Sequence, residues 1–140
     1  MRSFIFPIFA LVLSGCIHSG APECADEQVK ALVRQLMVDQ IKDFLAPEVS
    51  GIGFAKYARM GEGYRERIDA LLAEVSVVVG SVRTQGQDDK IRKSSCLADV
   101  SIVTESQDLA LARVANTHVG ISYFAQYDDE GSRVVVQLAQ

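Results

Sequence analysis

Cysteine, histidine and clustered carboxylates are the side chains here that could form a covalent bond, move a proton or hold an ion. The three cysteines are Cys16, Cys24 and Cys96, and the two histidines are His18 and His118. A catalytic histidine needs a nucleophile in a recognisable context, and neither histidine has a Ser or Cys neighbour of that kind. Asp99 with His118 is the residual arrangement that an enzyme would have to use. Asp128, Asp129 and Glu130 are consecutive acids. A calcium loop of EF-hand type needs acids at alternating positions over about 12 residues with a closing Glu, so these three read as a solvated hairpin tip. Asp88 and Asp89 read the same way. Gly51-Ile52-Gly53 and Gly61-Glu62-Gly63 follow no strand pattern and have no Walker lysine, so they are turns and not nucleotide loops. The expectation is a protein without catalytic residues, metal or cofactor.

The composition narrows the class further. The chain has 140 residues, 49% of them hydrophobic, with 14 Lys+Arg against 18 Asp+Glu. That balance excludes a disordered tail and a basic nucleic-acid binder, and the length suits one domain with a modest core.

The context of Cys16 carries the strongest signal. Met1-Arg2-Ser3 supplies one positive charge, Phe4 to Leu13 is an apolar run of ten, and Leu13-Ser14-Gly15-Cys16 follows. A membrane-spanning helix needs about 20 apolar residues, so this run is a secretory signal and not a span. Leu13-Ser14-Gly15-Cys16 resembles the lipobox of bacterial lipoprotein precursors at all four positions. The resemblance implies a diacylglyceryl group on the Cys16 thiol, cleavage before it, and acylation of the freed amine. Residues 1–15 would then be a lipoprotein signal peptide, 16–23 the lipidated cysteine and a short tether, and 24–140 a single domain. In enteric lipoproteins an Asp directly after the cysteine favours the inner membrane. That position is Ile17 here, so the resemblance implies the outer membrane, facing the periplasm. Cleavage removes Arg2 and no acid, leaving the mature chain one positive charge short of the −4 of the whole, which gives no attraction to nucleic acid.

With Cys16 committed to lipid, Cys24 and Cys96 remain as an even pair in an oxidising compartment. A disulfide is the economical reading. Two buried thiols acting as small hydrophobes are the alternative, and a metal site is the weakest, lacking a third ligand.

The elements that must position these residues follow from periodicity. From Asp26 to about Ala46, Val29, Leu32, Val33, Leu36, Met37, Ile41, Phe44 and Leu45 form the stripe of an amphipathic helix. Asp26 and Glu27 suit its start, and Pro47 is expected to stop it. Tyr64 to Glu74 reads as a shorter second helix. Val75 to Val82 has strand character, Gly86 to Lys90 that of a turn, and Cys96, Ala98, Val100 and Ile102 alternate as a second strand. Thr104 to Asn116 is either a long connection or a short helix. Val119 to Ala125 and Val134 to Leu138 read as strands joined by a hairpin with Gly131 at its turn. Helices followed by strands indicate an α+β fold, an N-terminal helix on a four-stranded antiparallel sheet. This element order resembles the cystatin-like folds, without a cystatin inhibitory motif, so no function follows.

Three surfaces are candidates for binding. Lys56, Tyr57, Arg59, Met60, Tyr64, Arg65 and Arg67 form a basic, aromatic stretch interleaved with Glu62, Glu66 and Asp69, either a solvated helix face or a site for anionic glycan, lipopolysaccharide or an acidic partner. Val77-Val78-Val79 and Val134-Val135-Val136 would lie on edge strands if the sheet is a simple meander, and apolar edges invite pairing with another chain. Either the strand order differs or a partner covers an edge, with Val135 the residue to test. A carrier pocket lined by Leu36, Met37, Phe44, Tyr123 and Phe124 is the further reading. The expectation is a lipid-anchored, non-enzymatic envelope module acting through a protein partner or as a homodimer. A small apolar-ligand or glycan binder is the alternative.

Overall fold

The computed structural model describes residues 20–50 and 62–139, with side chains for 20–45 and 63–139. Helix α1 spans Glu27–Ser50 and α2 spans Glu62–Ala73. They are followed by β1 (Val75–Asp88), β2 (Lys93–Thr104), β3 (Thr117–Tyr127) and β4 (Val134–Leu138). The strands form one antiparallel sheet in the order β1-β2-β3-β4. The fold is α+β, with both helices on one face of the sheet.

Asp26 caps α1: its carboxylate accepts the Gln28 amide at 2.7 Å and its carbonyl accepts the Lys30 amide at 2.9 Å. The core-facing side chains of α1 are Val29, Val33, Met37, Ile41 and Leu45, all buried. The helix does not stop at Pro47 as expected but continues to Ser50. Proline fixes φ near −65°, a helical value; it removes one amide bond and crowds the carbonyl four residues back, but at Pro47 this falls in the last turn, and α1 ends three residues later. Lys42 Nζ lies 3.2 Å from Asp69 and ties α1 to α2, beneath which Ile68 and Leu71 join the core.

The alternation in β2 is complete from Ser94 to Ile102, with even positions buried and odd ones half-buried. Cys96, Ala98, Val100 and Ile102 thus face the helices, with Cys96 opposite Tyr123 of β3 and the neighbouring Ser94 opposite Ala125. Strand β1 runs past its expected end at Val82. Register shifts between Gly80 and Arg83 and between Thr84 and Gly86 each take up extra chain, with Ser81 at φ 46° in the first. Such bulges let pairing continue after the alternating pattern has broken. The turn therefore falls after Asp88 instead of at Gly86.

The connection between β2 and β3 is irregular, not helical. Asp108 organises it, its carbonyl accepting the amides of Leu111 and Ala112, and this holds Leu111 fully buried.

The segment before α1 is fixed to one end of the sheet. The Ala21 amide donates to Asp89 Oδ1 at 3.3 Å, Ser94 Oγ donates to the Pro22 carbonyl at 2.6 Å, and Tyr123 OH donates to the Cys24 carbonyl at 3.0 Å. Cys24 and Cys96 form a disulfide with a Cα–Cα distance of 5.7 Å. The expected tether, 16–23, is thus shorter than its length suggests: Ala21 and Pro22 are buried against the sheet, because their polar backbone groups find partners there.

Candidate functional site

Both helices lie on one side, so among the described residues no helix covers the second face of the sheet, and its chemistry follows from strand parity. Side chains alternate between faces, so the odd positions of β2 and the even positions of β3 and its neighbour pairs share this surface. Near one end Lys93 Nζ sits 3.8 Å above the centroid of the Phe124 ring. The two residues are diagonal neighbours, since Lys93 pairs with Gln126 and Ser95 with Phe124. A cation over an aromatic face is held electrostatically, and the pair makes a firm platform. A concavity of about 290 Å³ lies on its β4 side, with Tyr127, Asp129, Val135 and Gln137 in its lining. A second, of about 260 Å³, lies on the β1 side beside Gln87 and Ser95.

Strand β4 bounds this face and is an outer edge of the sheet. The Asp128 amide donates to the Arg133 carbonyl at 2.8 Å and the Ala139 amide to the Ser122 carbonyl at 2.9 Å. Counted by twos along the register, Val135 and Gln137 turn their backbone groups towards β3, whereas Val134, Val136 and Leu138 turn theirs outward. Sheet edges are commonly protected by charge, proline or a bulge. Strand β4 has none of these, whereas β1, the other edge, has two register shifts and exposed Arg83. Val135 is 54% exposed.

The hairpin carrying β4 depends on Asp128. Its carboxylate accepts the Ser132 and Arg133 amides at 2.8 and 3.2 Å, and its carbonyl accepts from Arg92 Nη2 at 2.9 Å. The Arg133 amide, with help from Ser132, holds the carboxyl below its ordinary range. A depressed folded-state value means that the clamp is complete above the unfolded value, near pH 4, and is lost as pH falls through the lower folded one. Protection of the Val135 and Gln137 amides, taken relative to their intrinsic exchange rates, is therefore expected to persist at pH 4 and to fall at lower pH as the Asp128 carboxylate is protonated. Asp128→Ala should quicken the same amides at pH 7 while leaving those of β2 protected. Uniform exchange behaviour in both strands would contradict this role.

The remaining sequence-derived candidates are dispersed. Cys24 and Cys96 meet as expected. Arg65 and Arg67 are exposed on α2, in the helical layer and away from the open face. Cys16, His18, Lys56, Tyr57 and Arg59 lie outside the described residues. The proposed carrier lining does not form one chamber: Met37 and Tyr123 are core, Phe44 is 42% exposed, and Phe124 lies on the opposite face from Tyr123. His118 Nδ1 is 2.7 Å from Ser101 Oγ, a pair directly opposed in register on the open face. Both side chains are at the surface, where water competes for the same bonds. Among the described residues, no three His, Cys, Asp or Glu side chains converge as metal ligands, and no helix is long and apolar enough to cross a membrane. No family model, curated protein or solved structure matches this chain. The geometry must therefore carry the functional reading. Sequence reasoning singled out Val135, and named Phe124 and His118 in other roles, but missed Lys93 and both pairings, Lys93 with Phe124 and Ser101 with His118. Parity placed them together, yet only the register shows which residues stand opposite one another.

Proposed function

We propose that this chain is a lipid-anchored bacterial envelope protein, a non-enzymatic binding module whose β4 edge and adjoining open face receive an extended segment of a protein partner. The observation that carries the reading is the unprotected β4 edge, which presents outward backbone groups at Val134, Val136 and Leu138 beside the Lys93–Phe124 platform. Strand addition supplies main-chain hydrogen bonds at such an edge, while pockets beside it select side chains. The anchor rests on the lipobox resemblance at Leu13-Ser14-Gly15-Cys16. Two or more acyl chains suffice for lasting attachment. The outer membrane, facing the periplasm, is the proposed site because Ile17 follows the cysteine.

A photo-crosslinker placed at Gln137 in cells tests the edge. A discrete protein adduct is expected there, and none from the same crosslinker at Arg65 in the helical layer. Val135→Lys should abolish the Gln137 adduct with less than about 0.5 kcal/mol change in stability, since this exposed position contributes little to the core. An adduct of twice the chain's own mass identifies a second copy as the partner. Equal adducts from both positions, or an unchanged adduct in Val135→Lys, would remove the edge from consideration. The anchor is tested separately: Cys16→Ser should abolish incorporation of labelled fatty acid and leave residues 1–15 on the chain.

A further inference from the structure

The fixed N-terminal segment determines which end of the sheet is nearest the anchor. Gly20 is the first described residue, and the next one, Ala21, is bonded to Asp89 at the β1–β2 turn. Pro22 and Cys24 continue along the same end, on Ser94 and Cys96 near the start of β2. The β3–β4 hairpin is at this end too, as Tyr127 donates its amide to the Arg92 carbonyl. Cys16 and Gly20 are four residues apart, so they can be separated by at most about 14 Å of extended chain. Strand β2 has 12 residues, which at the usual rise puts its far end about 37 Å from its start.

We infer that the end of the sheet formed by the β1–β2 turn rests on the membrane surface, with Ile91 at the bilayer boundary. This inference depends on the lipidation of Cys16 proposed above. The exposed turn suits that place. Ile91 is 55% exposed although apolar, and it stands between Lys90 and the pair Arg92 and Lys93. Of the cations beside it, Arg92 is held on the Asp128 carbonyl and Lys93 on the Phe124 ring, which leaves exposed Lys90 to reach headgroup phosphates while Ile91 meets the acyl region. The acids of this end have structural duties: Asp88 accepts the Lys90 and Ile91 amides, Asp89 holds Ala21, and Asp128 clamps the hairpin. Asp129 and Glu130 stay exposed at the hairpin tip. Since acids and cations are mixed here, the anchor and not lipid charge supplies the attraction. The opposite end carries Leu109, 88% exposed in the β2–β3 connection, and it points away from the bilayer. Strand β4 then rises from the membrane with its free edge facing sideways.

The test uses the purified lipidated full chain in vesicles of phosphatidylethanolamine and phosphatidylglycerol that contain a nitroxide-labelled lipid. A fluorophore is attached at Ile91→Cys or at Leu109→Cys, with the native disulfide kept oxidised. Quenching should be severalfold stronger at position 91 than at 109, and replacing phosphatidylglycerol by phosphatidylcholine should leave that ratio unchanged. Inserting about 15 flexible residues between Ser19 and Gly20 should remove the difference, because the tether would no longer be shorter than the domain. The mass of the N-terminal peptide is measured on the same samples. A lipidated protein quenched equally at both positions, or more at 109, overturns the orientation alone. A peptide without acyl chains overturns the orientation together with the anchor.

Discussion

Replacing Cys24 and Cys96 together by alanine is expected to lower the unfolding free energy by about 4 kcal/mol. The crosslink joins residues 72 apart in sequence, and closing a loop of that size in the unfolded chain accounts for the magnitude in the chain-entropy treatment. Small domains have only about 5–15 kcal/mol in total, so the change is a large fraction of the stability. Alanine is the suitable replacement because both sulfurs are buried among apolar atoms, where a serine hydroxyl would add a desolvation cost of its own. Either single substitution should match the double one, since one cysteine suffices to lose the crosslink. Urea unfolding of the oxidised parent and the three variants measures this. A loss below about 1 kcal/mol would contradict the unfolded-chain account of this crosslink.

Tyr123→Ala should cost a comparable amount, about 3–5 kcal/mol. Its side chain is the largest among the fully buried ones, and its hydroxyl satisfies the Cys24 carbonyl at 3.0 Å. Tyr123→Phe keeps the ring and leaves that carbonyl unpaired, so about 1–2 kcal/mol is expected. Because Tyr123 and the disulfide hold the same residue, the two losses should fall short of additivity in a double-mutant cycle. Burial also raises the Tyr123 phenol above its ordinary value of 10.0. The unfolded phenol then ionises first, so stability should fall as pH rises above about 10, and Tyr123→Phe should lessen that fall. Thermal or urea unfolding at pH 7 and pH 10.5 distinguishes these effects, and equal alkaline sensitivity in both proteins would contradict the phenol's part in it.

Much of the architecture was legible because the hydrophobic pattern matched an element's period without interruption. Strand β2 is the clearest instance, with Cys96, Ala98, Val100 and Ile102 all facing the helices. The start of α1 was legible from Asp26, but its end was not, since proline leaves φ helical and its disruption falls on the final turn alone. The bulges of β1 hid the second half of that strand, as an extra residue shifts parity and makes a paired segment look irregular. At the candidate site, Val135 was visible as an apolar residue in a short last strand. Lys93 and Phe124 are 31 positions apart, and only the β2–β3 register makes them neighbours. The expected carrier lining did not come together for a related reason: Tyr123 and Phe124 are adjacent in sequence and therefore face opposite sides of the sheet.

Helix α1 touches both edge strands, β1 and β4, so the first element of the domain is completed by the last. Its buried stripe packs in one cluster with Tyr123 and Ala125, and with Val134, Val136 and Leu138 at the margin. A nascent chain that had reached only the end of β2 would leave that part of the helix without its cover. Autonomous folding must then wait until nearly the whole polypeptide is available. If the chain is exported as proposed, such a delay would keep its precursor threadable while a translocation channel draws it across a membrane.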